Sequence, residues 1–110
     1  MNQGDIYEIF LDPTLGSEQN GRRPAIILSG SGINKITNTV IVVPLTTKLK
    51  NYQDSLILKP NVKNGLKETS EALTIHIRAI DKKRLKHKLG VIEPSEINIL
   101  KKSLEKIIKY

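Results

Sequence analysis

The run "TVIVVPLT", Thr39 to Thr46, constrains the fold of this chain more than any other stretch. Its apolar residues fall on both alternating faces, and a strand that is apolar on both faces must be covered on both sides, so the run predicts a central strand with other elements packed above and below it. At six residues, its apolar core "VIVVPL" is also the longest such stretch in the chain and far too short to span a bilayer. Pro44 has no N–H to give a ladder and is expected to end or bulge this strand, leaving Thr46 and Thr47 at its exit.

Shorter runs surround it. "DIYEIFL" is β-branched and aromatic and closes at Asp12-Pro13, a turn signal; a loop over 13–22 follows, carrying the turn formers Gly16, Ser17, Asn20 and Gly21. "RPAIILSG" restarts a strand, with Pro24 at its beginning and Arg23 at the junction between loop and strand. "SLILK" predicts a short strand closed by Pro60. "ALTIHIRAI" predicts a longer one, with Leu73, Ile75 and Ile77 on one face and Thr74, His76 and Arg78 on the other. "DKKRLKHKLGVI" reads either as a helical turn or as an extended basic segment, with a short strand near Leu89–Ile92. At the end, "PSEINILKKSLEKIIKY" spaces Ile97, Leu100, Leu104 and Ile107 helically, with Pro94 or Ser95 at the start and lysines toward the C-terminus, where the helix dipole favours cations. Several short strands and one C-terminal amphipathic helix predict a mainly β (α+β) fold, a small twisted sheet or open barrel rather than βαβ units, in a single domain over 1–110.

Composition narrows the chemistry. With no cysteine there is no disulfide, no thiolate zinc site and no cysteine nucleophile, and a reducing, cytoplasmic location is expected. "MNQGDIYEIFLD" mixes Asp5, Glu8 and Asp12 among its apolar residues, unlike a signal peptide, and no membrane association is expected. The formal net charge of +7 is concentrated in Arg78, Lys82, Lys83, Arg84, Lys86 and Lys88, then in Lys101, Lys102, Lys106 and Lys109. Such a surface suits an anionic partner, either nucleic acid or an acidic protein segment, and equally describes a merely solvated basic face. His76 and His87 lack the spacing of a metal motif, and no glycine-rich phosphate loop is present, so neither a metal nor a nucleotide cofactor is expected. The only aromatic residues are Tyr7, Phe10, Tyr52 and Tyr110, too few for a base-stacking platform. A nucleic-acid site here would be built from charge and hydrogen bonds.

Arg22 and Arg23 stand against Pro24, just after a loop carrying Glu18, Gln19 and Asn20. By itself Arg23 reads as a surface ion pair with Glu18. The segment "GDIYEIFLDPTLGSEQNGRRPAIIL", followed by "VIVVPLTTK" and "IRAIDKKRL", resembles the MazF/PemK family of bacterial toxin endoribonucleases over most of the chain. The motifs are a Gly-Asp opening a strand, an Asp-Pro turn, Gly-x-Glu-Gln-x-Gly-x-Arg-Pro, and a Pro-x-Thr at the end of a buried strand.

That resemblance implies a small SH3-like open barrel of the CcdB/PemK type with a C-terminal helix, a homodimer, and ribosome-independent, metal-independent cleavage of single-stranded RNA at a short sequence. It also implies a cognate MazE-like antitoxin that lays an extended acidic segment along the dimer groove. By motif the catalytic pair of the MazF branch falls on Arg23 and Thr46. RNA brings its own nucleophile, the 2′-hydroxyl, so the protein need only accept a proton, stabilise charge on the phosphorane-like transition state and let the 5′-oxygen leave. Arg23 offers a forked pair of donors to the phosphate oxygens and the Thr46 hydroxyl a further one. Arginine is a poor base at neutral pH; Glu18 is the candidate base, or else orients Arg23 or the RNA, and His76 is a second candidate base. Base-reading groups are expected in Ser17, Gln19, Asn20, Thr47, Lys48, Thr74 and His76. The PemK branch uses an arginine and an aspartate on a later strand and a histidine before Glu-Gln; this chain has Leu73, Ile75 and Ser17 there, which aligns it with the MazF branch. The competing readings are a non-enzymatic CcdB-like inhibitor of DNA gyrase, against which the end "LEKIIKY" lacks a tryptophan, and a basic RNA-binding module without catalysis.

Overall fold

The structure is a computed structural model that describes residues 1–10 and 21–109. In chain order its elements are β1 (Asp5–Phe10), β2 (Arg22–Ile27), a short helix α1 (Ser31–Asn34), β3 (Thr39–Thr46), β4 (Ile57–Leu58), β5 (Ser70–Ala72), β6 (Arg78–Asp81), β7 (Leu85–Val91) and α2 (Pro94–Lys109). The seven strands form one antiparallel sheet in the order β4-β5-β3-β2-β1-β7, with β6 also paired to β3.

β3 is the central strand that its apolar pattern predicts. Val43 and Leu45 on one face join Ile6, Ile26, Leu58 and Leu100 in a core beneath α2. Val40 and Val42 on the other face join Ile9, Ala25, Ile27 and Ile80 inside the curl of the sheet. The sheet is thus a curled half-barrel with a core on each side of its middle strands, and α2 closes one of them. In α2, Leu100 is fully buried, Ile97 and Leu104 pack beside it, and Ile107 lines a groove further along. Burying a leucine completely contributes roughly 2 kcal/mol. The helix begins with Pro94 in its first turn, where its missing N–H is no loss, and Glu96 Oε1 accepts a hydrogen bond from the Glu93 N–H at 2.8 Å, half of a capping box.

Three expectations change. Pro44 does not end its strand: β3 runs on to Thr46, and Pro44 sits where the strand's outer edge passes from β6, paired with Thr39–Val42, to β5, paired with Leu45–Thr46. Its carbonyl accepts from Leu73 N–H at 2.9 Å at that changeover.

The continuous strand expected over "ALTIHIRAI" is broken by a 3₁₀ turn, Thr74–His76, closed by hydrogen bonds from His76 N–H to the Leu73 carbonyl and from Ile77 N–H to the Thr74 carbonyl. The alternation fails there because the chain must turn the corner between the two partners of β3; Thr74 is buried against α2 and Ile75 is 55 % exposed. The basic segment resolves into both of its alternatives, a 3₁₀ turn over Lys82–Arg84, capped by the Asp81 carboxylate, and then β7, which starts four residues earlier than expected because it pairs along β1 as far as Ile9.

Two glycines are fixed by packing. A Cβ on Gly90 in β7 would lie 2.2 Å from the Lys63 carbonyl oxygen, and one on Gly65, whose φ is +65°, would lie 2.0 Å from that of Leu89. The loop before β5 is therefore pressed directly against β7, with Asn64 buried and bonded to Lys59, Asn61 and Leu66.

Candidate active site

β2 and β3 run antiparallel, with Ala25 across from Pro44 and Ile26 across from Val43. Two further steps along that register bring Arg23 level with Thr46, at the open end of the pair. The two residues line one cleft of about 90 Å³ together with Arg22, Thr47 and Lys48, over a floor of Pro24, Leu45 and Ser70. Pro24, at the start of β2, fixes the backbone next to Arg23 and demands no ladder hydrogen bond of its own.

Thr46 is partly exposed, and its Oγ1 accepts a hydrogen bond from the Lys48 N–H at 3.1 Å. A hydroxyl has one proton to donate and two lone pairs. With a lone pair engaged by Lys48, the Thr46 proton remains available to an acceptor in the cleft.

Arg22, Arg23 and Lys48 place three cationic side chains on the walls, while the Glu8 carboxylate on the neighbouring strand lies 3.5 Å from both Arg22 Nη1 and His87 Nε2. Such a cleft attracts an oxyanion and offers donors from two directions.

The structure thus brings together Arg23, Thr46, Thr47 and Lys48. It sets Thr74 elsewhere, in a separate and larger groove of about 430 Å³ between the 52–55 segment and α2, where the Thr74 hydroxyl accepts from Ser103 Oγ at 3.1 Å. His76 is exposed on the 3₁₀ turn and does not line the cleft. Ser17, Glu18, Gln19 and Asn20 lie outside the described residues.

The basic run is partly consumed by the fold. Lys82 Nζ donates to the Asn34 carbonyl, Arg84 to the Phe10 carbonyl, Lys88 pairs with Asp5 and Lys106 with Asp54, whereas Arg78, Lys83 and Lys86 are exposed. Among the described residues no three of His, Cys, Asp and Glu gather into a possible metal site, and no helix is long and apolar enough to cross a membrane.

Two residues, one lining the cleft and one beside it in the ladder, escape a reading of the sequence. Arg22 is visible as a charge beside Arg23, but only the fold turns it toward the same cleft. Glu71, fully buried and paired in the ladder with Thr46, has as its only sequence signal an acidic residue between Ser70 and the apolar run that follows.

Comparison with known proteins identifies the family and the fold. The "Endoribonuclease toxin MazF" of Escherichia coli K12 is 33 % identical over 107 residues, which cover 97 % of this chain and 93 % of that protein. Among solved structures, MazF of Deinococcus radiodurans superposes with a TM-score of 0.80 at 24 % identity, covering 100 % of this chain and 97 % of the other. An endoribonuclease in complex with its cognate antitoxin, from a mycobacterial species, superposes with a TM-score of 0.77 at 21 % identity, covering 99 % and 95 %. The model of the PemK-like, MazF-like toxins of type II toxin–antitoxin systems matches residues 2–108. Since that match takes in both strands of the cleft, the paired sheet around them and nearly all of the closing helix, the chain belongs to the PemK-like, MazF-like toxin family.

Proposed function

We propose that the chain is an endoribonuclease toxin that cuts single-stranded RNA by attack of the 2′-hydroxyl on the adjacent phosphate, without a metal. The observation that carries this is the cleft itself, in which a forked cation, Arg23, and a hydroxyl donor, Thr46, face one space between two strands. The 2′-oxygen forms a bond to phosphorus, its proton passes to a base, and the bond from phosphorus to the 5′-oxygen breaks as that oxygen takes up a proton. The products are a 2′,3′-cyclic phosphate and a 5′-hydroxyl. Arg23 and Thr46 donate to the non-bridging oxygens, where negative charge grows, and Arg22 and Lys48 hold the flanking phosphates. Glu18 is the base or the group that orients Arg23. Thr47 and Lys48, with Ser17, Gln19 and Asn20, read the bases.

Solved relatives in complex with an antitoxin support an antitoxin partner here as well. The protein works as a homodimer in the cytoplasm and is silenced by a cognate MazE-like antitoxin whose acidic extended segment suits the net charge of +7. The test incubates the purified protein and its Arg23→Ala variant, free of antitoxin, with a long unstructured RNA and the matching DNA in excess EDTA, and analyses product ends by mass spectrometry. RNA fragments ending in 2′,3′-cyclic phosphate, formed by the wild type alone, are the expected result. Intact RNA with both proteins overturns the reading and turns attention to a gyrase assay.

A further inference from the structure

Glu71 lies in β5 with no exposed surface, and the cleavage chemistry above does not use it. Among the described residues, its side-chain hydrogen bonds come from one short segment. Oε1 accepts from the N–H groups of Lys50 at 2.6 Å and Asn51 at 2.8 Å; Oε2 accepts from the N–H of Tyr52 at 3.0 Å and from Ser55 Oγ at 2.6 Å.

Three consecutive backbone N–H groups converging on one anion form a nest, and Asn51, with φ of +55°, supplies the left-handed residue that such a concavity needs. Asp54, with φ of +63°, adds a second unusual backbone conformation in the same segment. Burial pushes the Glu71 carboxyl up, but the Ser55 hydroxyl and the three N–H groups outweigh it and hold the group below the ordinary glutamate range. It is therefore an anion at neutral pH, and its segment is wrapped around it.

The position of this clasp gives it a consequence for the cleft. Thr46 and Glu71 are cross-strand partners in the β3–β5 ladder. The chain leaves Thr46, passes through Thr47, Lys48 and Leu49, and is gripped by the Glu71 carboxylate at Lys50. That three-residue arch is pinned at both ends by one residue, at one end through its backbone and at the other through its side chain. Within the arch, the Lys48 N–H holds Thr46 Oγ1.

Building on the RNA-cleavage reading, we infer that Glu71 is a positioning residue: by gripping Lys50–Ser55 it fixes the Thr47–Leu49 arch and so orients the Thr46 hydroxyl toward the scissile phosphate. Releasing the grip frees that hydroxyl to rotate and takes a transition-state donor out of line. Arg22 and Arg23 lie on β2, on the other side of the cleft from the clasp, and still hold the RNA. The rate of the chemical step falls while substrate binding is largely kept.

The test measures initial rates against the concentration of one single-stranded RNA that the wild type cuts, for wild type, Glu71→Gln and Ser55→Ala. Folding is checked by circular dichroism, and amide exchange is followed at Lys50, Asn51 and Tyr52. Glutamine preserves the volume but must turn its NH₂ toward at least one backbone N–H donor, that of Tyr52 if it takes the Oε2 position, and it removes the negative charge the nest encloses; Ser55→Ala removes one of the four bonds at a residue outside the cleft. In Glu71→Gln we expect kcat to fall about ten- to a hundredfold, as for a small misplacement of a reacting group. KM should change by less than about threefold, the signature of an interaction made in the transition state. Ser55→Ala should move kcat in the same direction by less, and the three amides should lose protection in Glu71→Gln.

A folded Glu71→Gln variant with unchanged kcat, or with only KM raised, overturns the inference. If Glu71→Gln does not fold, Ser55→Ala decides: reduced kcat at constant KM supports the clasp, and unchanged kcat overturns it. A wild type that leaves RNA uncut overturns the functional reading itself, an outcome distinct from a wild type that cuts while the variants cut equally well.

Discussion

Replacing Thr46 by valine removes one oxygen from the cleft and little else. Both side chains are β-branched and nearly equal in shape, so β3 keeps its strand preference and its packing beside Leu45. The folded state loses the hydrogen bond from Lys48 N–H to Thr46 Oγ1. Because Lys48 is exposed, water can satisfy that N–H, and the loss is expected at about 0.5–1.5 kcal/mol. For a domain of this size that is a fall in Tm of about 2–8 °C, too little to populate the unfolded state at 25 °C. The effect on rate is of another order. In the native site the lone-pair side of the hydroxyl is taken by Lys48, so its proton is available to an acceptor in the cleft. Loss of one donor aimed at developing charge costs roughly 10²- to 10³-fold in kcat, about 2.7–4 kcal/mol. The assay is single-turnover cleavage of single-stranded RNA in EDTA, with Tm measured on the same samples and Thr46→Ser as the companion that restores the hydroxyl. A folded Thr46→Val enzyme that cuts within about threefold of wild type would refute the assignment of Thr46 as a transition-state donor.

Gly90→Ala should destabilise strongly although it adds one methyl group, because the new Cβ meets the Lys63 carbonyl at 2.2 Å and the Asn64 carbonyl carbon at 2.5 Å. Since neither is a flexible side-chain end, a loss of about 2–3 kcal/mol and a fall in Tm of roughly 10 °C are expected in a thermal melt. The Glu71 clasp should also appear in the acid stability of the fold. Its folded pKa lies below the unfolded value, so the carboxylate's contribution is complete above about pH 4.3, the unfolded value, and is lost as pH falls through the lower folded pKa. The difference in Tm between wild type and Glu71→Gln should hold steady from neutral pH down to that point and then shrink, and a difference that grew on acidification would contradict the hydrogen-bonded carboxylate.

What was legible in the sequence follows the range of the interactions involved. The double-sided apolar run announced β3, and the spacing of Ile97, Leu100 and Leu104 announced α2, because each element's pattern is local and its burial follows from it. The Arg23 and Thr46 pair was legible through motif order, since the motifs fall at the ends of two strands that the fold places side by side. The corner at Thr74–His76 was not. Alternating residues read as strand until a change of partner along β3 bends the chain, and that change lies in residues thirty positions away. The same limit hid the fate of the basic run, in which Lys82 and Arg84 are drawn onto the carbonyls of Asn34 and Phe10, far upstream. It also hid the Glu71 clasp, whose donors begin some twenty residues before their acceptor.

The strand order β4-β5-β3-β2-β1-β7 sets a timetable for biosynthesis. β1, β2 and β3 can pair as they emerge from the ribosome, but the outer edge of β1 has no partner until β7 is made. At a synthesis rate of about 5–20 residues per second, the interval from Phe10 to Leu85 lasts on the order of 4–15 s. Once β3 is made, Ile9, Ala25, Ile27, Val40 and Val42 form one side of a core that still waits for Ile80 and Leu85. The part of the cleft that Ser70 lines, and the Glu71 grip behind it, also arrive after Arg23 and Thr46 are already in place. The nascent chain thus carries Arg23 and Thr46 well before the strands that complete the cleft around them have been made.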